Sequence, residues 1–194
     1  MGAYLAGAAE PTGCPGETGL IPSLPRRQLR ARPKRGSGVG RTKVGKGTKV
    51  MAVVEGNGLP IGLYVASAQP HELMLAQATL ETIRVPRPRG HPRTRPKEVV
   101  ADRAYDSEAF RRYLRRRGIQ PTIPYYQRRV RKRPKRGRPL QVGPSYGSRW
   151  KVERCFAWMD NCRRLVVRYE RKLHCYHALC LFAVILWCVN HILK

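Results

Sequence analysis

The chain has 194 residues, of which 42% are hydrophobic, and it carries 39 Lys and Arg against 12 Asp and Glu. This length and composition fit one globular domain with a sizeable core and exclude a wholly disordered chain. The formal net charge of +27 at pH 7 favours a polyanionic partner, because folding gains nothing from self-repulsion. Nucleic acid is the leading candidate for that partner, and an anionic membrane surface is the second.

Residues 1–35 differ in composition from the rest of the chain. They are rich in Gly, Pro and Ala, and their apolar side chains follow neither a period of 2 nor a period of 3.6. We interpret this segment as an irregular leader. Residues 36–194 are then expected to form the folded domain.

The first predicted elements are a β-hairpin and a helix. Two β-rich runs within residues 48–68 flank the sequence Gly56-Asn57-Gly58, which is a strong hairpin signal. Residues 71–83 carry apolar side chains at helical spacing. A loop rich in Pro and Arg follows and leads to the second half of the chain.

The later elements alternate between strand and helix. We predict a short buried strand within residues 97–105, a helix between the N-cap Ser107 and Gly118, and another strand within residues 119–126. Residues 127–148 are too basic and too rich in Pro and Gly to pack, so we expect a solvated loop. Two helices, over residues 149–167 and 177–193, complete an order typical of an α/β sheet with antiparallel strands first and parallel strands after.

The segment 177–193 is the most apolar run of the chain. It has 17 residues, includes two His and one Asn, and is at the short end for a membrane span. We therefore interpret it as a buried core helix, with a membrane span as the alternative, and expect no membrane partner.

Acidic residues are scarce in this chain, and two of them, Asp102 and Glu153, are candidate functional residues. Asp102 directly follows the apolar run Val99-Val100-Ala101, and functional side chains of α/β sheets gather beyond the carboxyl ends of strands. Without other information, a structural turn and a catalytic role are equally good interpretations of Asp102. Asp106 is better interpreted as an acid at a helix start, where the helix dipole favours it.

Glu153 lies beside the apolar face of the predicted helix 149–167. It could be an exposed acid paired with Arg149 four residues earlier, a contact worth a few tenths of a kcal/mol. It could instead act with Asp102, because cutting a phosphodiester needs divalent metal ions and carboxylates hold such ions. A basic surface would bind the polyanion while the two carboxylates held the metal.

From about residue 36 onward, the chain resembles insertion-sequence transposases with a DDE catalytic domain, of the insertion sequence five group. The resemblance rests on three motifs that occur in the order found in that family. They are "VGRTKVGKGTKVMAVVEGNGLPIGLYVASAQPHE", "VVADRAYDS" and "RWKVERCFAWMDNCRRLVVRYE".

The resemblance implies an α/β fold of the ribonuclease H-like kind, a mixed sheet flanked by helices. It implies metal-dependent phosphoryl transfer, with Mg²⁺ or Mn²⁺, that cuts and joins DNA at the ends of an insertion element during DNA transposition. Asp102 and Glu153 take the positions of the second catalytic Asp and the catalytic Glu, and both would be metal ligands. Tyr146, Arg149 and Glu153 match the Tyr-x2-Arg-x3-Glu pattern, whereas a later Lys of that signature falls on Asp160.

The resemblance and the charge together give a set of expected DNA-contacting residues. They are Tyr146, Arg149, Lys151, Arg163, Arg164 and, in the basic tract, Arg128, Arg129, Arg131, Lys132, Arg133, Lys135 and Arg136. The implied partners are double-stranded DNA at element ends and targets, and either a second copy of the chain or the upstream part of a transposase. The implied location is the cytoplasm, in association with the nucleoid.

The first catalytic Asp of the family has no counterpart here, since no Asp precedes Asp102. Its place falls near Arg26, in a stretch that makes a poor central strand because it is rich in Pro and Arg. We therefore expect a sheet incomplete at its first strand, in a truncated or frameshifted reading frame. Glu55, at the end of a predicted strand, is the nearest other carboxylate.

Three functions remain open on this basis. The chain is an active transposase, or it is an inactive DNA-binding remnant that inhibits an intact enzyme, or it is a basic RNA-binding protein. The third explains the charge but not the order of motifs. We assign the chain to the DDE transposases by family and predict that the chain alone cleaves DNA poorly or not at all.

Overall fold

The computed structural model describes residues 18–21, 36–42, 45–125 and 143–193. The described strands are β1 (Thr18–Ile21), β2 (Gly40–Thr42), β3 (Gly45–Val54), β4 (Pro60–Ser67), β5 (Glu98–Ala101) and β6 (Gln120–Thr122). The α-helices are α1 (Glu72–Glu81), α2 (Glu108–Arg116), α3 (Trp150–Asp160), α4 (Arg163–Val166) and α5 (Leu173–Ile192). Two 3-10 turns, Arg103–Tyr105 and Pro144–Arg149, follow β5 and precede α3.

The six strands form one mixed sheet. The order is β2-β3-β1-β5-β6, with β4 paired to β3. β3 pairs antiparallel with β1, β2 and β4, whereas β1, β5 and β6 run parallel. The predicted arrangement of antiparallel strands followed by parallel strands is therefore confirmed.

Strand β1 corrects the expectation of a sheet that is incomplete at its first strand. It lies between β3 and β5, with Leu20 paired to Val54 on one side and Ile21 paired to Ala101 on the other. The expectation was wrong because it looked for alternating apolar and polar residues near Arg26. The strand instead has four residues, which are too few to show such an alternation. Backbone pairing on both sides compensates for this short length.

The other residues of the predicted leader are outside the described part of the chain. Within residues 1–35, the structure describes only residues 18–21, and these form a strand rather than an irregular segment. A domain boundary between residues 35 and 36 stays a prediction.

The sheet separates two apolar clusters. Alternate residues of β3 face opposite sides: Val50, Ala52 and Val54 pack with α3 and α5, whereas Met51 and Val53 pack with α1 and α2. Such alternation is the side-chain period of a strand, and a strand buried on both faces reads as an unbroken apolar run. The core is thus a three-layer arrangement of helices, sheet and helices.

Most predicted elements are confirmed, with shorter bounds. The β3–β4 hairpin turns at Gly58, whose φ of +92° suits glycine, and α2 follows the N-cap Ser107 and ends before Gly118 at φ +68°. The predicted single helix 149–167 is wrong, because extended backbone at Cys162 divides it into α3 and α4.

The predicted burial of the apolar segment 177–193 is also wrong for most of its side chains. Helix α5 buries Tyr176, Cys180 and Ala183 against the sheet, but Phe182 and Ile185 on its other side are more than half exposed. Residues 173–191 form a helix long and apolar enough to cross a bilayer by length and composition, and only a minority of it is buried. Core helices of soluble proteins can have the same length and composition.

A buried arginine ties the chain after α4 to the start of the sheet. Arg168 is completely buried and donates hydrogen bonds to the carbonyl oxygens of Ser37 (2.7 Å) and Glu170 (2.9 Å), and to the hydroxyl oxygen of Thr48 on β3. A buried guanidinium is costly unless its donors are satisfied, so these acceptors fix the path of all three segments.

Replacing Arg168 should destabilise the fold strongly. We expect Arg168→Ala to lower the free energy of unfolding by about 3–5 kcal/mol, because it leaves the partners of a buried charged group unpaired. Urea denaturation followed by circular dichroism measures this loss. The exposed Arg112 of α2 provides the control, since Arg112→Ala should change stability by no more than about 0.5 kcal/mol. Equal effects of the two substitutions would contradict the role of Arg168.

Candidate active site

Asp102 lies directly beyond the carboxyl end of β5. It caps the 3-10 turn Arg103–Tyr105, and its Oδ1 accepts a hydrogen bond from the Arg103 amide at 2.7 Å. Val100 packs toward α3, whereas Val99 and Ala101 pack toward α1 and α2. Because Asp102 is still extended and two residues beyond Val100, strand alternation places it on the α3 side of the sheet.

Arg149 joins the two carboxylates that the sequence singled out. Its Nη1 lies 2.9 Å from Oδ1 of Asp102, and its Nη2 lies 3.9 Å from Oε1 of Glu153. The 3-10 turn Pro144–Arg149 runs into α3, so Arg149 and Glu153 stand one helical turn apart on the same side. Asp102 and Glu153 therefore converge on one cation, although they are 51 positions apart in the chain.

Tyr146 completes this cluster. Its hydroxyl oxygen accepts a long hydrogen bond of 3.5 Å from Nη1 of Arg149, and its ring lies 5.5 Å from the guanidinium carbon. Both contacts restrict where the guanidinium can point. All three residues of the Tyr-x2-Arg-x3-Glu pattern thus lie around Asp102.

The two ion pairs differ in strength. The side chain of Asp102 is 28% exposed and that of Arg149 is 32% exposed, whereas the side chain of Glu153 is 63% exposed. The shorter and more buried Asp102 contact is therefore the stronger one, and the Glu153 contact is at the limit of an ion pair. The guanidinium also offsets the repulsion between two neighbouring carboxylates.

Tyr105 supports the turn that carries Asp102 and was not singled out in the sequence. It is fully buried, its amide donates to the Asp102 carbonyl at 3.0 Å, and its hydroxyl lies 3.4 Å from Oε2 of Glu72 on α1. Burial, followed by the Glu72 charge, raises the pKa of its hydroxyl. The apolar spacing before α2 marks Tyr105 as core, but the sequence gives no sign of its contact with α1.

Asp106 has a structural role that differs from the expected one. Its Oδ1 lies 2.9 Å from Nη2 of Arg111, a buried residue of α2 that also donates to the Ile123 carbonyl at 2.7 Å. Asp106 thus anchors α2 to the chain after β6 through an ion pair. The sequence analysis expected only a contact with the helix dipole, because the burial of Arg111 depends on tertiary packing.

Glu55 is buried at a distance from the cluster. Val54 of β3 is paired with Leu20 of β1, which is paired with Val100 of β5. Because β3 runs antiparallel to β5, the next residue, Glu55, lies level with the amino-terminal part of β5, and β1 separates the two strands. Burial raises the pKa of its carboxyl, and its Oε1 has no hydrogen-bond partner in the described chain. Burial and then the Glu55 charge raise the pKa of the Cys188 thiol on α5.

The predicted DNA-contacting residues fall into separate groups. Lys151 stands on the first turn of α3, and its Nζ donates to the carbonyl oxygen of Gly56. Arg163 and Arg164 are exposed on α4, which follows the end of α3 at Asp160. Asp160 is about 10 Å along the helix from Glu153, so the two arginines are separated from the cluster around Arg149. The tract Arg128–Arg136 lies outside the described residues.

The two carboxylates fit a shared cation, as their contacts with one guanidinium show. Among the described residues, no group of three His, Cys, Asp or Glu side chains is arranged to hold a metal ion. Strand β1 supplies no third carboxylate, because Thr18–Ile21 contains no acid. Asp102 and Glu153 are the two candidate carboxylates that contact one cation, the guanidinium of Arg149.

Removing Arg149 should strengthen the binding of a divalent metal. We expect Arg149→Ala to bind Mn²⁺ roughly 3- to 10-fold more tightly, because partly exposed ion pairs of about 0.7–1.4 kcal/mol in total no longer compete. Electron paramagnetic resonance of free Mn²⁺ measures the affinity. Arg154→Ala removes the same charge one residue beyond Glu153 and serves as the control. Equal gains in both variants would show a general charge effect and no competition.

Comparisons with known proteins identify the family of the chain. Residues 24–188 match the family described as "Transposase DDE domain". A curated protein of Burkholderia cepacia, named "Putative transposase for insertion sequence element IS402", is 36% identical over 146 residues, which are 74% of this chain. The chain spans 64% of the length of that relative. The matched residues include Asp102, Arg149 and Glu153. On this evidence, the chain belongs to the DDE transposase family of insertion sequences.

Proposed function

We propose that the chain is the catalytic part of a DNA transposase that cuts and joins DNA at the ends of an insertion element. The observation that supports this most directly is the convergence of Asp102 and Glu153 on one cation beside the carboxyl end of β5. Family membership and the name of the similar protein from Burkholderia cepacia support it further. The mixed sheet with helices on both faces is consistent with a ribonuclease H-like domain.

Each residue of the cluster has a distinct part in this chemistry. Asp102 and Glu153 would hold Mg²⁺ or Mn²⁺, and such an ion would supply a lowered pKa for an attacking water or 3′-hydroxyl and charge stabilisation for the leaving oxygen. Arg149, once released from the carboxylates, can bind a phosphate oxygen with its planar pair of donors. Tyr146 restricts the directions in which that guanidinium points.

The absence of an acid from β1 favours a second candidate function. A carboxylate on the strand beside β5 would complete a three-carboxylate site, but Thr18–Ile21 offers none. The chain would then bind element ends without cutting them and would inhibit an intact transposase by occupying its substrate. Both candidates predict binding to double-stranded DNA, and they differ in cleavage.

The charge distribution supports DNA as the partner. The chain carries 39 Lys and Arg, and exposed arginines of α4 add to the basic residues around Arg149. Phosphate contacts position a protein on a duplex and release counterions, so affinity should fall steeply with salt. We further propose a cytoplasmic, nucleoid-associated location and a second copy of the chain, or the upstream part of a transposase, as protein partner.

Strand cleavage separates the two candidates. In Mg²⁺ or Mn²⁺, we expect the purified chain to retain a gel shift on duplex DNA bearing element ends but to cut it weakly or not at all, because one carboxylate is missing. Asp102→Asn and Glu153→Gln should abolish any residual cleavage while leaving the gel shift. Glu108→Gln, at an exposed acid of α2, is the control and should behave like the unchanged chain.

Other results would decide against one or both candidates. Robust metal-dependent cleavage that Asp102→Asn removes would overturn the inactive remnant. Cleavage that survives Asp102→Asn would overturn the proposed site. A chain that binds no duplex at low salt would exclude both functions.

A further inference from the structure

The β2–β3 hairpin places two cations directly opposite each other. Arg41 of β2 is paired in register with Lys46 of β3, and both side chains are exposed. Opposed residues of an antiparallel pair have Cβ atoms about 4.5–5.5 Å apart, so like charges at these positions repel each other. In the part of the chain that the structure describes, neither side chain forms an ion pair with an acid. A bound anion would relieve this repulsion.

The hairpin is fixed at its base by close packing. Gly40 and Gly47, the pair next to the two cations, are both buried. A side chain at Gly40 would collide with the chain after β4, because its Cβ would lie 2.8 Å from the Cβ of Gln69. The Gly47 carbonyl also accepts a hydrogen bond from the Ala68 amide at 3.2 Å. The charged end of the hairpin therefore extends from a fixed base.

Strand register puts this charged end on the same edge of the sheet as Asp102. Leu20 of β1 is paired both with Val54 of β3 and with Val100 of β5. Because β3 runs antiparallel to β5, Asp102 lies level with the residue two positions before Val54. Lys46 precedes Val54 by eight positions, which leaves six residues, or about 20 Å along the strand, beyond the level of Asp102. The two cations therefore project beyond the carboxyl end of β5.

Strand alternation puts the same two cations on the face of the sheet that carries the candidate active site. Val50 and Val54 pack with α3 and α5, and Lys46 is an even number of positions from both along β3. Arg41 is directly opposite Lys46 and shares its face. Asp102 lies on the α3 side as well, so the hairpin and the candidate active site can contact the same bound molecule.

The distance between the two places suits duplex DNA. Base pairs are stacked about 3.4 Å apart along the duplex axis, so a length of about 20 Å corresponds to about six base pairs. A straight duplex with one phosphate at Arg149 can therefore reach the hairpin. The guanidinium of Arg41 offers a planar pair of donors and the ammonium of Lys46 a compact charge, and both groups bind phosphate oxygens.

We propose that Arg41 and Lys46 form a second phosphate site, which binds two neighbouring phosphates of a DNA duplex about six base pairs from the phosphate at Arg149. The inference rests on the proposed function, because the same duplex must bind at the Asp102–Arg149–Glu153 cluster. Phosphate contacts carry no sequence information but fix the orientation of a protein on the duplex. The hairpin thus aligns the DNA with the candidate active site.

The salt dependence of DNA binding tests this site in the full chain. The affinity for a duplex that spans both places is measured in metal-free buffer between about 50 and 200 mM salt. The double variant Arg41→Ala/Lys46→Ala should lower the slope of log affinity against log salt by about 1.8, the value for two phosphates. Its loss of affinity relative to the unchanged chain should then shrink about 12-fold over this range of salt. Both residues are exposed, so the fold should be retained.

Two matched variants control for charge and for position. Arg41→Lys/Lys46→Arg keeps both charges and should keep the slope of the unchanged chain. Arg112→Ala/Arg116→Ala removes two exposed cations from α2, which packs on the opposite face of the sheet, and should change the slope by less than half as much. An unchanged slope in Arg41→Ala/Lys46→Ala, or an equal change in the α2 variant, would overturn the hairpin site while leaving DNA binding intact.

A combined variant tests whether one duplex occupies both places. Arg149→Ala alone should lower the slope by about 0.9, and its combination with Arg41→Ala/Lys46→Ala should lower it by about 2.7, because distant phosphate contacts add. A combined change smaller than this sum would show that the two places do not hold one duplex and would overturn the proposal. Failure of the unchanged chain to bind the duplex at about 50 mM salt would overturn the proposed function itself.

Discussion

The four residues of β1 are the constraint on which the rest of the structure depends. They pair with β3 on one side and with β5 on the other, so they join the antiparallel half of the sheet to its parallel half. Without β1, strands β3 and β5 would each have an edge of unpaired backbone N–H and C=O groups beside buried apolar side chains. The same pairing fixes where β5 ends, and therefore where Asp102 stands relative to α3.

The candidate site follows from that position. Strand alternation directs Asp102 toward α3, and the turn before that helix brings Arg149 between Asp102 and Glu153. A single guanidinium then balances two carboxylates that would otherwise repel each other. This arrangement balances the charges of the cluster without a bound ion. Under the proposed function, phosphate would compete for Arg149 and a metal ion would compete for the two carboxylates.

Sequence patterns predicted the parts of the structure that have local signals. The Gly56-Asn57-Gly58 turn, the apolar run before Asp102 and the Ser107 cap each carry their own physical signature, and the family motifs pointed to Asp102 and Glu153. Strand β1 is too short for its sequence to show the alternation of a strand, and it is stabilised by pairing with strands distant in the sequence. It can therefore be recognised only from its place in the sheet. The exposure of α5 and the pairing of Asp106 with Arg111 also depend on tertiary packing and have no local signal.

The most direct test of this account places a carboxylate on β1 beside the existing pair. Leu20 is paired in register with Val100 and Ile21 with Ala101, and these two residues of β5 belong to the apolar clusters on opposite sides of the sheet. We predict that Mn²⁺ raises the Tm of Leu20→Asp and that this variant cleaves duplex DNA better than the unchanged chain, because bound metal stabilises only the folded state. Ile21→Asp and Leu20→Asn should show neither effect. No response to Mn²⁺ in Leu20→Asp, or the same response in Ile21→Asp, would contradict the account.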